Sequence, residues 1–308
     1  MSDSAAVSGG DAGASQAGGS EAVIGRRMVA DVVGHGPAVV LLHGQPGSGE
    51  DWVRVADLLE GSFTLVAPDR PGYGRTGGAA TGFAGNAQAV VELLDRLELD
   101  RFIAVGHSWG GGVALALAEL QPERVAGLVL AASVGPGEPV GWDDRLLAAP
   151  VLGEAVAALT IGATGRLLGI DRVQSLADQR LAGRTLEAVK ALTRLTGART
   201  GSRVWQSFVT EQRALLAELD DLGPGLAALR IPVAVINGSA DRVVRPSVGG
   251  MLSRAIPGAT QTVLPGAHHL LPLDHPEAIA DAVRDVHQRA GRPSSRDDPQ
   301  GSSRTNLE

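Results

Sequence analysis

Apolar runs rich in Val, Ile, Leu and Ala alternate along most of the chain with longer segments of helix-forming residues. Runs of this kind are typical of strands buried on both faces, and the intervening segments have the length of crossover helices. The pattern therefore predicts an α/β fold, in which helices cover both faces of a mostly parallel sheet. The predicted strands cover residues 28–33, 39–42, 64–66, 102–105, 127–131, 233–237 and 260–264.

Helices fit the segments between these strands. Pro246 and Pro276 mark two of the helix starts, because proline lacks the N–H group that a first helical turn leaves unpaired. The predicted helices cover residues 50–59, 85–97, 108–120, 246–255 and 276–287.

The alternation stops between residues 135 and 229, where helix formers dominate without an evident strand. We interpret residues 135–229 as a helical cap over the strand ends, inserted between two parts of the core, residues 22–134 and 230–290. Its predicted helices are residues 143–168, 171–193 and 204–220. Candidates for lining an apolar substrate pocket in the cap are Trp142, Leu147, Val151, Leu159, Trp205 and Phe208. The cap acids Glu154, Glu187, Glu211 and Glu218 are predicted to lie on solvated helix faces.

The two ends of the chain have the composition of disordered tails. Residues 1–21 are mostly Ala, Gly and Ser, and they lack the basic start and apolar run of a secretory signal, which favours a cytoplasmic location. Residues 291–308 are polar throughout most of their length.

Bulk composition excludes several classes of function. The chain has 308 residues, a net charge of −7 and no cysteine. The negative charge disfavours nucleic acid as a partner, and the absence of cysteine excludes thiolate nucleophiles, thiolate metal ligands and disulfides.

The apolar run 146–168 is too interrupted by Pro, Gly and charged residues to span a membrane. The seven histidines lack zinc-site spacing, so we expect no metal and no organic cofactor. The oligomeric state stays open.

The segment Gly106-His107-Ser108-Trp109-Gly110 stands where a predicted strand breaks into a predicted helix. A side chain presented at the tip of so tight a turn leaves no room for Cβ atoms two residues before and after it, which explains Gly106 and Gly110. Ser108 is therefore the candidate nucleophile.

A serine nucleophile needs a base and a carboxylate that orients the base. Asp241 follows the predicted strand 233–237, and the pair His268-His269 follows the strand 260–264. The chain order Ser, Asp, His is the order that the strand-turn-helix serine motif requires. At this point either histidine can be the base.

With these motifs the chain resembles the α/β-hydrolase superfamily, in particular its serine-nucleophile members with a helical cap, over about residues 29–288. Two further loops carry the resemblance, His43-Gly44-Gln45-Pro46-Gly47 and Asp69-Arg70-Pro71-Gly72-Tyr73-Gly74. The family's usual Gly-x-Gly-His register favours His269 as the base, although His268 replaces the second glycine and stays a competitor.

The resemblance also implies where an oxyanion would be stabilised. The donors would be the backbone N–H groups of Gln45 and Trp109, with Gly44 in the same loop and His43 bracing that loop rather than moving protons.

The resemblance narrows the reaction as well. Relatives that open epoxides or displace halides use an aspartate at the position of Ser108, so both chemistries are disfavoured. We expect a serine hydrolase that cleaves carboxylic esters of small or medium apolar substrates through an acyl-enzyme on Ser108. The alternatives are a prolyl aminopeptidase-like enzyme, a carbon–carbon bond hydrolase, or a biosynthetic acyltransferase or lyase on the same fold; a purely ligand-binding role is disfavoured by the intact Ser, Asp and His set.

Overall fold

The computed structural model describes residues 20–24, 28–138, 141–150, 152–157, 159 and 204–291. Most of both predicted tails, the predicted cap helix 171–193, Val151 and Glu187 lie outside the described residues.

An eight-stranded sheet forms the centre of the molecule, in the order β1-β2-β4-β3-β5-β6-β7-β8. Strands β3 to β8 pair in parallel, whereas β2 is antiparallel to both β1 and β4. This confirms the predicted α/β-hydrolase fold with a mostly parallel sheet. The strands are β1 Ser20–Ile24, β2 Met28–Gly34, β3 Ala38–Leu42, β4 Thr64–Pro68, β5 Phe102–His107, β6 Val125–Ala131, β7 Val233–Gly238 and β8 Thr260–Leu264.

Helices cover both faces of the sheet. The described helices are α1 Val53–Leu59, α2 Phe83–Arg96, α3 Trp109–Leu120, α4 Trp142–Ala148, α5 Leu152–Ala157, α6 Val204–Glu218, α7 Gly223–Leu226, α8 Pro246–Ala255, α9 Leu271–Asp274 and α10 Pro276–Ala290. Helices α2, α3 and α8 pack on one face, and α1 and α10 pack on the other.

Strand β5 shows why its apolar run is continuous. Phe102 and Ala104 join the core beneath α2 and α3, while Ile103 and Val105 join the core beneath α1 and α10. Successive side chains of a strand point to opposite faces, so a central strand with helices on both sides needs apolar residues at every position.

The structure differs from the predicted elements in several places. The predicted helix 143–168 is interrupted, because α4 ends at Ala148 and α5 begins at Leu152. Residues 158 and 160–168 of this prediction lie outside the described residues. Strand β1 was not predicted, and it begins at Ser20, inside the segment expected to be a tail. The predicted helix 50–59 consists of a 3₁₀ turn, Gly49–Trp52, followed by α1.

Between β6 and β7 the described residues form helices α4 to α7 and a 3₁₀ turn, Asp220–Leu222, without a strand. Helix α6 packs against α4, α5 and α2. None of the described helices is both long and apolar enough to cross a membrane. The loops after β3, β5, β7 and β8 carry the candidate site residues to one edge of the sheet, next to α6.

Candidate active site

Ser108 lies at the break between β5 and α3. Its backbone φ is +53°, a left-handed conformation that L-residues adopt at a cost and that recurs at functional sites. A Cβ atom on Gly106 would meet the Gly110 carbonyl oxygen at 2.4 Å, and one on Gly110 would meet the Leu42 carbonyl oxygen at 2.3 Å. Glycine at both positions therefore permits the close contact of β5, α3 and β3 that presents Ser108.

The structure brings Ser108, His269 and Asp241 together. The Ser108 hydroxyl lies 3.0 Å from His269 Nε2, and His269 Nδ1 lies 2.8 Å from Asp241 Oδ2. The carboxylate can only accept, so Nδ1 carries a proton and Nε2 is free to accept the proton of the hydroxyl. His268, the competing base, is exposed and its ring nitrogen lies 3.2 Å from the Ala240 carbonyl oxygen instead.

Backbone contacts hold both partners of Ser108 in place. Asp241 Oδ1 accepts hydrogen bonds from the backbone N–H groups of Val243 and Val244, at 2.8 and 3.1 Å. The His107 ring donates from Nε2 to the His269 carbonyl oxygen at 2.9 Å. Burial, and the nearby His269, lower the pKa of His107 to about 3. His107 therefore stays neutral, and it anchors the backbone of the histidine that faces Ser108.

The loop after β3 is braced from beneath by His43. The Arg70 backbone N–H donates to His43 Nε2 at 2.9 Å, which leaves the proton on Nδ1, and Nδ1 donates to the Gly44 carbonyl oxygen at 2.8 Å. Burial and the charge of Arg70 hold the pKa of His43 well below its ordinary value. The side-chain Nε2 of Gln45 donates to the Phe208 carbonyl oxygen of α6 at 2.8 Å.

Trp109 is the first residue of α3, so its N–H group has no partner within the helix. Its indole is buried and stacks on Phe83, with the Arg70 guanidinium 4.5 Å from the ring centroid. The indole therefore packs in the core beside Ser108.

A buried ion pair joins this region to α6. The Arg70 guanidinium contacts both oxygens of Glu211, and both side chains are 0% exposed. Tyr73 donates its hydroxyl to Glu211 Oε2 at 2.6 Å, and burial together with the Glu211 charge raises the pKa of Tyr73. Burial raises the pKa of Glu211, while Arg70 opposes that shift.

The prediction that Glu211 lies on a solvated face was therefore wrong, whereas Glu218 is half-buried. Glu218 accepts a hydrogen bond from the Phe83 N–H at the start of α2, at 2.8 Å. Of the other cap acids, Glu154 pairs with Arg213 near the surface. The sequence marks Arg70 and Tyr73 only as parts of a loop motif, and nothing in their spacing points to a glutamate 141 residues beyond Arg70.

Two cavities meet at Ser108 and Gln45. The first has a volume of about 260 Å³ and reaches toward α4 and α6, where Leu147, Phe208 and Leu215 line it. The second has a volume of about 210 Å³ and is lined by apolar side chains around His269. Among the predicted lining residues, Leu147 and Phe208 line the first cavity and Trp205 lines neither cavity. Trp142 and Leu159 are exposed, at 79% and 73%.

Glu138 is a further ionisable group that sequence reasoning missed. It lines the first cavity together with Asp144, and its Oε2 atom is buried without a hydrogen-bond partner in the part of the chain that the structure describes. Burial, followed by the charge of Asp144, raises the pKa of Glu138 to about 7. The described residues contain no group of three potential metal ligands.

Comparison with known proteins agrees with this architecture. Residues 39–282 match the family model described as the alpha/beta hydrolase family. The chain is 32% identical over 272 residues to a putative non-heme haloperoxidase of Mycobacterium phage D29, covering 84% of this chain and 90% of that protein. It is 27% identical over 257 residues to haloalkane dehalogenase 2 of Mycobacterium tuberculosis, covering 81% and 87%.

Among solved structures, a thermophilic esterase from Thermogutta terrifontis superposes with a TM-score of 0.65 at 22% identity, covering 89% of this chain and 100% of that one. This likeness concerns the fold. The family match spans most of the chain and includes the segments that carry Ser108, Asp241 and His269. The chain therefore belongs to the alpha/beta hydrolase family.

Proposed function

We propose that this protein is a serine hydrolase that cleaves carboxylic esters through an acyl-enzyme on Ser108. The observation that carries the proposal is the unbroken hydrogen-bond line from the Ser108 hydroxyl through His269 to Asp241, with distances of 3.0 and 2.8 Å. A hydroxyl attacks a carbonyl only if a base removes its proton during attack, and this line supplies the base in the required tautomer.

The proposed reaction has two halves. Ser108 Oγ bonds to the acyl carbon while its proton passes to His269 Nε2, and His269 returns that proton to the departing alcohol. Water then attacks the acyl-enzyme, again losing a proton to His269, and the carboxylic acid leaves as Ser108 regains its proton. In both halves the carbonyl oxygen becomes negative, and the backbone N–H groups of Gln45 and Trp109 are the proposed donors to it.

The residue at the nucleophile position favours this reaction over dehalogenation, the activity that one relative's name states. A carboxylate that displaces halide forms an ester, which water can later cleave at its carbonyl carbon. Serine would form an alkyl ether with no carbonyl to attack, so the enzyme would be consumed. Acyl transfer leaves Ser108 regenerated.

The two cavities support a substrate of small or medium size. Their volumes, about 260 and 210 Å³, lie below the usual range for drug-sized ligands. His269 lines the second cavity. Because this histidine must return a proton to the leaving alcohol, we assign the alcohol to that cavity. The acyl group then occupies the first cavity, between Ser108 and helices α4 and α6.

A series of p-nitrophenyl esters tests the proposal. We expect turnover of acetate and butyrate, weaker turnover of octanoate, and a loss of at least about 1,000-fold in kcat for Ser108→Ala. Ser253→Ala is the matched control, because Ser253 lies on α8 and lines neither cavity. Undiminished hydrolysis by Ser108→Ala would contradict the proposal.

A further inference from the structure

Helix α6 reaches the proposed oxyanion loop through three consecutive contacts with the core. Ser207 donates to the Gly72 carbonyl oxygen at 2.7 Å, the Phe208 carbonyl accepts from the Gln45 side chain at 2.8 Å, and Glu211 pairs with Arg70. All three residues belong to the first turns of one helix and face the same loops. The helix is therefore joined to the loop that contains Gln45 both directly and through Arg70.

All three guanidinium nitrogens of Arg70 donate hydrogen bonds in this arrangement. Its Nε donates to the His43 carbonyl oxygen at 3.0 Å, and its Nη2 donates to the Gly44 carbonyl oxygen at 2.8 Å and to Glu211 Oε2 at 3.3 Å. Its Nη1 contacts Glu211 Oε1 and lies 3.4 Å from Asn86 Oδ1. A guanidinium offers five N–H groups in a rigid plane, so contact with Glu211 fixes the direction in which Arg70 meets the loop.

The carbonyl that Arg70 holds belongs to the peptide unit that carries the Gln45 N–H. A trans peptide is planar, with its C=O and N–H pointing in opposite directions. The Gly44 carbonyl points toward Arg70 and the His43 ring, so the Gln45 N–H is directed to the other side of the loop. Gln45 and Ser108 both line the two cavities.

We infer that Glu211 is a positioning residue for the oxyanion hole: through Arg70 it fixes the Gly44–Gln45 peptide so that the Gln45 N–H faces the acyl carbonyl oxygen. This inference rests on the proposed function and adds a second role to α6, which also lines the acyl cavity. Packing of α6 on the core and orientation of the Gln45 N–H then depend on each other, because both require the Arg70–Glu211 ion pair.

Glu211→Gln removes the charge that orients Arg70 while keeping nearly the same shape and an acceptor for Tyr73. We expect kcat for p-nitrophenyl butyrate to fall at least tenfold with KM changed less than about threefold, because the oxyanion contact strengthens in the transition state. A trifluoromethyl ketone, which forms a tetrahedral oxyanion on the serine, should bind more weakly by a factor similar to the loss in kcat/KM. A purely structural role would not move these two quantities together.

Glu218→Gln is the matched control. Glu218 lies on the same helix and also joins it to the core, but it contacts the Phe83 N–H rather than Arg70. We expect its kcat, KM and ketone affinity to stay within about twofold of wild type.

Arg70→Lys provides a second test should Glu211→Gln fold poorly. Lysine keeps a cation beside Glu211 but cannot hold both loop carbonyls with a planar fork, so kcat and ketone affinity should fall together here also. Wild-type kcat in a folded Glu211→Gln or Arg70→Lys protein would overturn the inference while leaving the proposed function standing. A wild-type protein that hydrolyses no ester would overturn both.

Discussion

Two clusters of ionisable side chains lie close to Ser108, and they differ in their exposure to solvent and in the number of hydrogen bonds that hold them. The first is the Asp241–His269 pair, in which the histidine side chain is 14% exposed and lines a cavity. The second is the Arg70–Glu211 pair, which is fully enclosed and uses every N–H group of the guanidinium. A group that exchanges protons with a substrate must reach it, whereas an enclosed ion pair is suited to holding a backbone in one arrangement.

The difference suggests separate roles for the two clusters: the first is suited to proton transfer, and the second is suited to holding the backbone in position. In the proposed reaction a proton moves between Ser108, His269 and the leaving group, all within the first cluster and the cavity beside it. In the second cluster, loss of either charge leaves the other buried without compensation, so the arrangement resists change. We therefore expect substitutions in the first cluster to reduce turnover with little effect on stability, and substitutions in the second to reduce both.

The largest expected effect is on turnover in the first cluster. His269→Ala removes the proton acceptor of Ser108, so kcat should fall by about 1,000- to 10,000-fold. His268→Ala is the adjacent control, and its kcat should stay within about twofold of wild type because this ring faces Ala240 instead. Steady-state kinetics on one p-nitrophenyl ester measures both. Equal losses in the two variants would contradict the assignment of the base.

The second cluster should be the more sensitive in stability. Glu211→Gln leaves the Arg70 charge buried and unpaired, which typically costs about 3 to 5 kcal/mol of unfolding free energy. Glu154→Gln breaks a partly exposed pair with Arg213 and should cost less than about 1 kcal/mol. Urea unfolding of the two variants compares them directly. A similar loss of unfolding free energy in both variants would mean that the buried Arg70–Glu211 pair contributes no more to stability than the exposed Glu154–Arg213 pair.

Glu138 differs from both clusters, because no cation pairs with its carboxyl group among the described contacts and its pKa is raised to about 7. The folded protein therefore keeps this proton to a higher pH than the unfolded chain. The stability that results is complete below about pH 4.5 and is lost as the pH rises through 7. Removing the ionisable group should prevent this loss.

Glu138→Gln should match wild type in its pH dependence below pH 4.5 and become relatively more stable by up to about 3 kcal/mol near pH 8. Urea unfolding at pH 5 and pH 8 measures the change between the two proteins. A stability difference that stays constant over this range would show that Glu138 does not titrate there.

Much of the fold followed from short segments of the sequence. Strands such as β5 were predicted within a few residues because burial on both faces requires an uninterrupted apolar run. Strand β1 was missed because its short segment Ser20–Ile24 follows a region rich in Gly, Ala and Ser, and its strand character depends on pairing with the edge of β2.

The two clusters also differ in how far the sequence predicts them. Ser108, Asp241 and His269 each follow a predicted strand, so their convergence at one edge of a parallel sheet could be anticipated. Glu211 lies on a helix whose sequence resembles a solvated one, and its partner Arg70 belongs to a distant loop. Pairing between such distant segments depends on how α6 seats on the core, which local pattern does not encode. The cap division and the catalytic roles stay predictions.

Labelling with a fluorophosphonate, followed by peptide mapping by mass spectrometry, tests the central claim most directly. An activated serine attacks the phosphorus and displaces fluoride, which leaves a stable phosphonate ester on the serine whatever the natural substrate is. We predict a single adduct on Ser108 in the wild-type protein and its loss in His269→Ala. An adduct on another residue, or equal labelling of Ser108 without His269, would contradict the account.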